Sequence, residues 1–182
     1  MKKLILSLAV ITAAISANAQ AKTSSSKMDQ KLRFSLGAEL AAPLGDFKKS
    51  SSFGFGVSVQ GDYWVDPTFA VTLNAGYINF SGKDYTINYP IIGNVTTKGT
   101  SFGIIPVLGG IKYNFTPQIY GSAQLGIGIY NSGGLAGVSN FAYAPGIGYK
   151  FTNNFDALLK YQAYSKNSYT RNTLDLRIAY TF

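Results

Sequence analysis

The sequence predicts an all-β protein: an eight-stranded antiparallel up-and-down β-barrel that spans a membrane. Three observations lead to this prediction. Apolar and polar residues alternate along eight successive segments of strand length, as they do in strands with lipid on one side and a polar interior on the other. Long and short connections also alternate between these segments. Aromatic residues gather near the segment ends, where membrane barrels carry interfacial girdles.

The last segment, residues 173–182, shows the alternation most clearly. Asp175 and Arg177 are among the polar or small residues that fall between its apolar ones. Because side chains alternate across a strand, one face is apolar and the other is charged. We expect this segment to be the closing strand of the barrel. Its apolar residues are Leu174, Leu176, Ile178, Tyr180 and Phe182.

Seven segments upstream have a similar length, close to the roughly 9–11 residues of a tilted membrane strand. The fourth segment is apolar at nearly every position, so its two faces cannot be assigned from the pattern. An even number of strands places both chain ends on one side of the membrane. The seven segments are residues 32–42, 53–64, 68–80, 100–113, 118–130, 140–151 and 154–164.

The connections give an independent indication of the topology. The short ones centre on residues 66–67, 114–117 and 152–153. Outer-membrane barrels have short periplasmic turns and longer external loops, so we expect both mature termini to be periplasmic. The long connections are residues 43–52, 81–99, 131–139 and 165–172.

Two prolines fall at positions where a regular barrel strand would not be expected to contain one. Pro106 and Pro145 fall inside the fourth and sixth segments, where a proline removes a ladder hydrogen bond. We expect each to mark a β-bulge or the rim of the barrel.

The first 19 residues have the features of a secretory signal peptide. Lys2 and Lys3 precede an apolar run that is too short to cross a bilayer as a helix. Residues 17–19, Ala-Asn-Ala, fit a cleavage site after Ala19. Residues 20–31 are polar and without period, which indicates a flexible periplasmic leader. The predicted barrel domain is residues 32–182.

Composition excludes several classes of function. The chain contains no cysteine and no histidine, which removes disulfides, thiolate metal sites and the commonest general base. No pattern calls for a cofactor or a metal. The formal net charge is +8, but no run of five or more basic residues exists, so nucleic acid is not an expected partner. Anionic lipid head groups are the better candidates.

Polar residues on the inward face predict a network that fills the barrel. The acids and bases are mixed, and an eight-stranded barrel is only wide enough for side chains to fill. We therefore expect a plug of ion pairs and hydrogen bonds; the alternative is a narrow pore for water, ions or small solutes. The predicted network comprises Arg33, Glu39, Gln60, Asp62, Asn74, Gln124, Lys150, Asp156, Lys160, Gln162, Asp175 and Arg177.

The predicted external loops are basic. Six basic and two acidic residues give them a net charge of +4, which suits contact with the phosphate groups of lipopolysaccharide as well as simple solubility. The longest loop, residues 81–99, also contains apolar residues. It either contacts a protein partner or prolongs two strands above the membrane. The lipopolysaccharide-contact candidates are Lys48, Lys49, Lys83, Lys98, Lys166 and Arg171.

Over residues 32–182 the chain resembles the outer-membrane β-barrel domain family, in its small eight-stranded class with OmpX-like and OmpA-type domains. The resemblance rests on the eight alternating segments, the stretch 105–113 and the terminal Tyr-Thr-Phe. It implies that Ile178, Tyr180 and Phe182 form a signal read by the barrel-assembly machinery.

The resemblance also implies a location in the cell outer membrane. The expected function is a structural or interaction role through the external loops: adhesion, partner docking or envelope stability. A narrow pore is the alternative. A lipid-modifying enzyme is disfavoured because the known small barrels of that kind use a histidine, and a soluble lipocalin-like binder is a further reading of the same alternation.

Overall fold

The computed structural model describes residues 31–89, 93–132, 135–167 and 169–182. The predicted signal peptide and nearly all of the predicted leader lie outside these residues. None of the helices in the described ranges has the length and hydrophobicity to cross a membrane. The elements are β1 Leu32–Leu44, α1 Phe47–Ser50, β2 Ser51–Trp64, β3 Phe69–Gly82, β4 Tyr85–Tyr89, β5 Gly93–Thr97, β6 Phe102–Asn114, β7 Ile119–Ser132, β8 Leu135–Lys150, β9 Phe155–Lys166 and β10 Tyr169–Thr181.

Eight of these strands form a closed antiparallel barrel in the order β1-β10-β9-β8-β7-β6-β3-β2. The predicted fold class is confirmed. The barrel closes between the first and last strands, where the register runs from Ser35 opposite Thr181 to Leu44 opposite Asn172. Closure gives each of the eight strands a neighbour on both sides, which removes the free edges that an open sheet would leave.

A second, two-stranded sheet forms within the longest connection. Strands β4 and β5 pair with each other, with Tyr85 opposite Thr97 and Tyr89 opposite Gly93. This hairpin is separate from the barrel sheet. Residues 81–99 therefore do not simply prolong β3 and β6, since a distinct small sheet lies between them.

Three four-residue turns at one end of the barrel share one hydrogen-bond pattern. A side-chain oxygen at the second position accepts from two backbone N–H groups further along: Asp66 from Thr68 and Phe69, Thr116 from Gln118 and Ile119, and Thr152 from Asn154 and Phe155. We call this end the short-turn end. It also holds the start of β1 and the end of β10.

The opposite end, here called the loop end, differs from the sequence-based prediction. Strand β7 runs to Ser132 and β8 begins at Leu135, while β9 runs to Lys166 and β10 begins at Tyr169. The predicted loops 131–139 and 165–172 are therefore wrong in extent, because most of their residues pair as strand extensions. The first connection contains α1, which the sequence pattern did not indicate.

The two prolines are accommodated without bulges. Pro106 pairs with Gly128 on β7, and the β3–β6 ladder is interrupted beside it with the same register on both sides of the gap. Pro145 pairs with Ala123, and the β8–β9 ladder is interrupted in the same way. The expectation of a bulge or a rim position was wrong at both sites: each ladder loses pairs on one side and keeps its register.

The outer surface of the barrel is apolar. Large hydrophobic side chains are exposed around it, including Phe55 at 65%, Leu73 at 64% and Leu125 at 61%. The structure also assigns the faces of the fourth predicted segment, now β6. Ile104 and Leu108 are fully buried in the interior, whereas Val107 and Ile111 are exposed on the outside.

Candidate functional site

The inward side chains divide the barrel interior into two halves. A polar half lies toward the short-turn end and the middle of the barrel. An apolar and aromatic half lies toward the loop end. Both follow from the period of two along each strand, which delivers every second side chain to the interior.

Glu39 is the centre of a buried ion cluster. Its carboxylate lies 3.2 Å from the ammonium of Lys160 and 3.7 Å from the guanidinium nitrogen Nε of Arg177. Arg177 also donates to the hydroxyls of Ser58 at 2.8 Å and Ser35 at 2.9 Å. The cluster joins β1, β2, β9 and β10 across the closing seam. Pairing of this kind is what makes buried charge tolerable.

A hydrogen-bond network continues from this cluster onto the neighbouring strands of the barrel wall. The amide of Gln60 donates to Asp62 at 2.7 Å, and its oxygen accepts from Asn74 at 3.3 Å and from Gln124 at 3.2 Å. Lys112 pairs with the other oxygen of Asp62 at 3.2 Å. The network connects β2, β3, β6 and β7.

Two further acids occupy the interior. Asp156 accepts a hydrogen bond from the hydroxyl of Tyr120. Asp175 is fully buried, and neither of its carboxylate oxygens has a hydrogen-bond partner among the residues that the structure describes. Lys160 lies opposite Asp175 in the β9–β10 register.

Inward glycines make room for the largest inward side chains. A Cβ atom on Gly37 would lie 2.6 Å from Nε of Arg177. A Cβ on Gly148 would collide with the ring of Tyr120, and one on Gly128 with the ring of Tyr164. Glycine on one strand thus faces a large residue from another, and the interior is filled rather than open.

An apolar cluster closes the loop end of the interior. Phe47 of α1 packs against Phe80 and Phe102, with ring centroids 5.3 Å and 5.9 Å apart. Phe102 stacks on Tyr130 at 6.3 Å, and the guanidinium of Arg171 lies 5.0 Å from the ring of Tyr130. We call these rings, with Tyr164, the aromatic plug. The predicted plug of ion pairs and hydrogen bonds did not include these rings.

A cavity of about 100 Å³ opens at the short-turn end. It is lined by charged residues from five strands together with Trp64. Lys150 donates to the side-chain oxygen of Asn114 at 2.8 Å, and its ammonium lies 5.2 Å from the ring of Trp64. This cavity is where the polar interior meets the outside of the barrel.

The predicted interior residues fall into two groups. Arg33 is exposed at the short-turn end and Lys150 is half-buried there, and both line the cavity. The structure buries the other ten: Glu39, Gln60, Asp62, Asn74, Gln124, Asp156, Lys160, Gln162, Asp175 and Arg177.

Several buried residues of the polar half were left out of the predicted network, including Ser35, Ser58, Lys112 and Tyr120. Lys112, only 6% exposed, lies in the segment whose faces could not be assigned. Tyr120 was not selected because an inward tyrosine resembles an outward girdle residue in sequence. The signal that could have found it is the alternation itself, since Tyr120 lies four residues before Gln124, which was assigned to the inward face.

The loop end carries the predicted basic residues. Lys48, Lys49, Lys98, Lys166 and Arg171 are exposed there and Lys83 is half-buried. Lys83 donates to the carbonyl oxygen of Lys48 at 2.8 Å, which ties α1 to the end of β3. The acids at this end are Asp46, which pairs with Lys49 at 2.8 Å, and Asp84, which accepts from the backbone of Gly99 at 2.9 Å. The hydrogen bond with Lys49 lowers the pKa of Asp46 and raises that of Lys49.

Among the described residues no group of three or more acidic side chains is placed to hold a metal ion. The closed sheet, its apolar exterior and its filled interior define a transmembrane β-barrel. A family model for the outer membrane protein beta-barrel domain matches residues 6–182. The chain belongs to this family of outer-membrane proteins.

Solved structures show the same fold at low sequence identity. The chain is similar to Ail, the attachment invasion locus protein of Yersinia pestis, solved with the heparin analogue sucrose octasulfate. The TM-score is 0.55 at 18% identity over 83% of this chain and 97% of that one. The N-terminal β-barrel domain of Pseudomonas aeruginosa OprF gives 0.53 at 15% identity over 82% and 97%. No curated protein matches the sequence significantly.

Proposed function

We propose that this protein is a sealed outer-membrane barrel that acts through its loop end rather than by transport or catalysis. The observation that carries the proposal is the filled interior. Buried ion pairs and hydrogen bonds occupy the polar half, and the aromatic plug occupies the other half. A conducting pore needs a continuous hydrated path, and this packing leaves little room for one.

Planar-bilayer recording tests the sealed interior. Purified wild-type protein is expected to give no steady conductance. A reproducible unitary conductance would overturn the proposal and favour the alternative of a narrow pore. A Phe80→Ala/Phe102→Ala variant shows whether the aromatic plug contributes to the seal, since it removes two of the stacked rings.

The basic loop end supports a polyanion as the partner. Its net charge of +4 lies where lipopolysaccharide phosphates would sit if the loop end is external. The similar protein Ail was solved with a heparin analogue, which is a sulfated polyanion. We propose that Lys48, Lys49, Lys83, Lys98, Lys166 and Arg171 contact such groups.

A charge-removal series tests this contact. Replacing Lys48, Lys49 and Lys98 together by glutamine lowers the loop-end charge from +4 to +1 and is expected to weaken binding of lipopolysaccharide or heparin. The matched control replaces the same lysines by arginine, which keeps the charge. Binding that is equal in the two variants, or that does not fall with added salt, would contradict an electrostatic contact.

The proposed orientation places the loop end outside the cell and both mature termini in the periplasm, after cleavage following Ala19. The chain has no cysteine, so single cysteines report accessibility cleanly. The Lys98→Cys variant is expected to react with a membrane-impermeant maleimide on intact cells. The Asn153→Cys variant is expected not to react. The reverse result would invert the barrel in the membrane.

The proposed assembly signal lies on the outer face of the closing strand. Ile178, Tyr180 and Phe182 are exposed there at 47%, 40% and 62%, and the backbone N–H of Phe182 donates to Phe34 at 2.9 Å. Replacing Phe182 by alanine is expected to slow the appearance of the folded, gel-shifted form in cells. Refolding of the purified variant in detergent would stay unchanged, because alanine keeps the backbone N–H that donates to Phe34.

A further inference from the structure

The cavity at the short-turn end has a charge balance that neither the sealed interior nor the basic loop end explains. Three basic residues, Arg33, Lys112 and Lys150, line it together with two acids, Asp62 and Asp156. They come from strands that meet only because the barrel closes. The cavity is therefore a feature of the folded molecule rather than of one local segment.

Both acids in the cavity wall already have donors. Asp62 accepts from Gln60 at 2.7 Å through one oxygen and from Lys112 at 3.2 Å through the other. Asp156 accepts from the hydroxyl of Tyr120. Each oxygen of Asp62 therefore has a donor, one oxygen of Asp156 has a donor, and Lys112 is used in this pairing.

The remaining lining groups are donors with unused capacity. Arg33 is exposed and lies opposite Asp62 in the β1–β2 register, but its guanidinium makes no hydrogen bond or ion pair to any residue in the described part of the chain. Lys150 makes one hydrogen bond, to Asn114, although an ammonium has three donors. The buried indole N–H of Trp64, over whose ring Lys150 lies, has no partner among the residues described.

We propose that this cavity binds a small oxyanion, a phosphate or a carboxylate. A surplus of cationic and N–H donors around a volume of about 100 Å³ suits a compact anion. Charge-assisted bonds from a guanidinium and an ammonium are about twice as strong as neutral ones. Such a ligand would offer acceptors to the exposed guanidinium of Arg33, to the remaining donors of Lys150 and to the unpartnered indole N–H of Trp64.

Trp64 provides a direct reporter, because it is the only tryptophan in the chain. Its indole fluorescence and its indole N–H resonance are recorded for the protein in maltoside micelles, which contain no phosphate. Inorganic phosphate, acetate and dimethyl phosphate are titrated separately at constant ionic strength, with chloride as the reference salt. Dimethyl phosphate represents the diester of a lipid head group, so its response separates that source from a free anion.

We expect a saturable change with phosphate or acetate in the millimolar range. Arg33→Gln and Lys150→Gln are each expected to weaken the response about tenfold, and Arg33→Lys to keep most of it. Lys31→Gln removes the same charge from an exposed residue outside the cavity lining and should leave the response unchanged. Circular dichroism and gel mobility verify that each variant folds.

Two results would overturn the proposal. One is the absence of a saturable response to all three anions in the folded wild-type protein. The other is a response that Arg33→Gln and Lys150→Gln both leave intact, since the anion would then bind elsewhere. A saturable response to dimethyl phosphate alone keeps the oxyanion chemistry and assigns the source to a lipid head group.

Discussion

Glu39 has more charged partners within the described interior than any other acid. It faces both Lys160 and Arg177 while only 2% exposed. The sequence placed Glu39 correctly on the inward face, because the alternation of side chains along a strand decides which of them point into the barrel. The pattern could not show that its two partners come from strands at the far end of the chain, since that depends on closure of the barrel.

Replacing Glu39 by alanine is expected to destabilise the barrel by about 3–5 kcal/mol, because two cations remain buried without their counter-ion. Urea unfolding in lipid vesicles measures the change. Asp46→Asn serves as the control, since it removes the exposed carboxylate of the Lys49 pair and should leave the unfolding free energy unchanged. A loss at Glu39 no larger than that of the control would show that the ion cluster does not stabilise the fold.

A second residue-scale prediction concerns the interior glycines. Gly148→Ala is expected to cost about 1–3 kcal/mol through overpacking, because the new methyl group would meet the ring of Tyr120. Gly109→Ala places a methyl group on the outside, where no heavy atom lies within 4 Å. Thermal unfolding of the two variants should therefore differ, with Gly109→Ala neutral or stabilising. Equal losses would contradict a filled interior.

At the scale of elements, the sequence predicted all eight barrel strands, but it placed several of their ends incorrectly. Strand β8 begins at Leu135, five residues before the predicted start. Its extension contains glycine and small residues near the loop end, where the alternation that marks a strand fades. The faces of β6 were not predictable because Ile104 and Leu108 contact the apolar interior half while Ile111 faces outward. A strand with apolar surroundings on both sides shows no period.

The three equivalent turns support a prediction about pH. Thr116→Val and Thr152→Val each remove an acceptor used by two backbone N–H groups and are expected to cost about 1 kcal/mol. At the equivalent position, hydrogen bonds from Thr68 lower the pKa of Asp66. Because the pKa of Asp66 is lower in the folded protein than in the unfolded chain, its ionised carboxylate stabilises the protein at pH values above the unfolded-state pKa. This stabilisation is lost as the pH falls through the folded-state pKa.

Unfolding measured across acidic pH tests this difference. The stability gap between wild type and Asp66→Ala should narrow as the pH falls below about 4. The difference in unfolding free energy between wild type and Thr116→Val should stay constant, because a threonine hydroxyl does not titrate at acidic pH. Identical pH profiles for the two variants would show that the Asp66 carboxylate does not act as the turn acceptor.

At the scale of the whole molecule, the apolar exterior determines where the protein can exist. Leu125 is 61% exposed in the middle of β7, whereas Val65 is 54% exposed in a short turn. Leu125→Arg is expected to cost about 2–4 kcal/mol in a bilayer, and Val65→Arg about 0–1 kcal/mol. Reversible folding into lipid vesicles measures both. Equal costs at the two positions would place the lipid boundary elsewhere on the barrel.

The architecture was more predictable than the candidate site. Eight alternating segments specify a barrel because each needs only a local period of two. The aromatic plug and the short-turn cavity were not predicted, since each combines residues from strands far apart in sequence. Phe80 and Tyr164, for instance, belong to the same buried cluster, but both lie near strand ends, where aromatic residues are expected to form an interfacial girdle. Only the closed register determines which aromatic side chains meet inside.

Closure between β1 and β10 also fixes when the molecule can fold. Ser35 pairs with Thr181, so the seam cannot form until β10 is available to β1. Until then β1 has an unmatched edge that invites aggregation. The barrel is therefore complete only when all eight strands are present, and β1 acquires both of its neighbours at the last step of pairing.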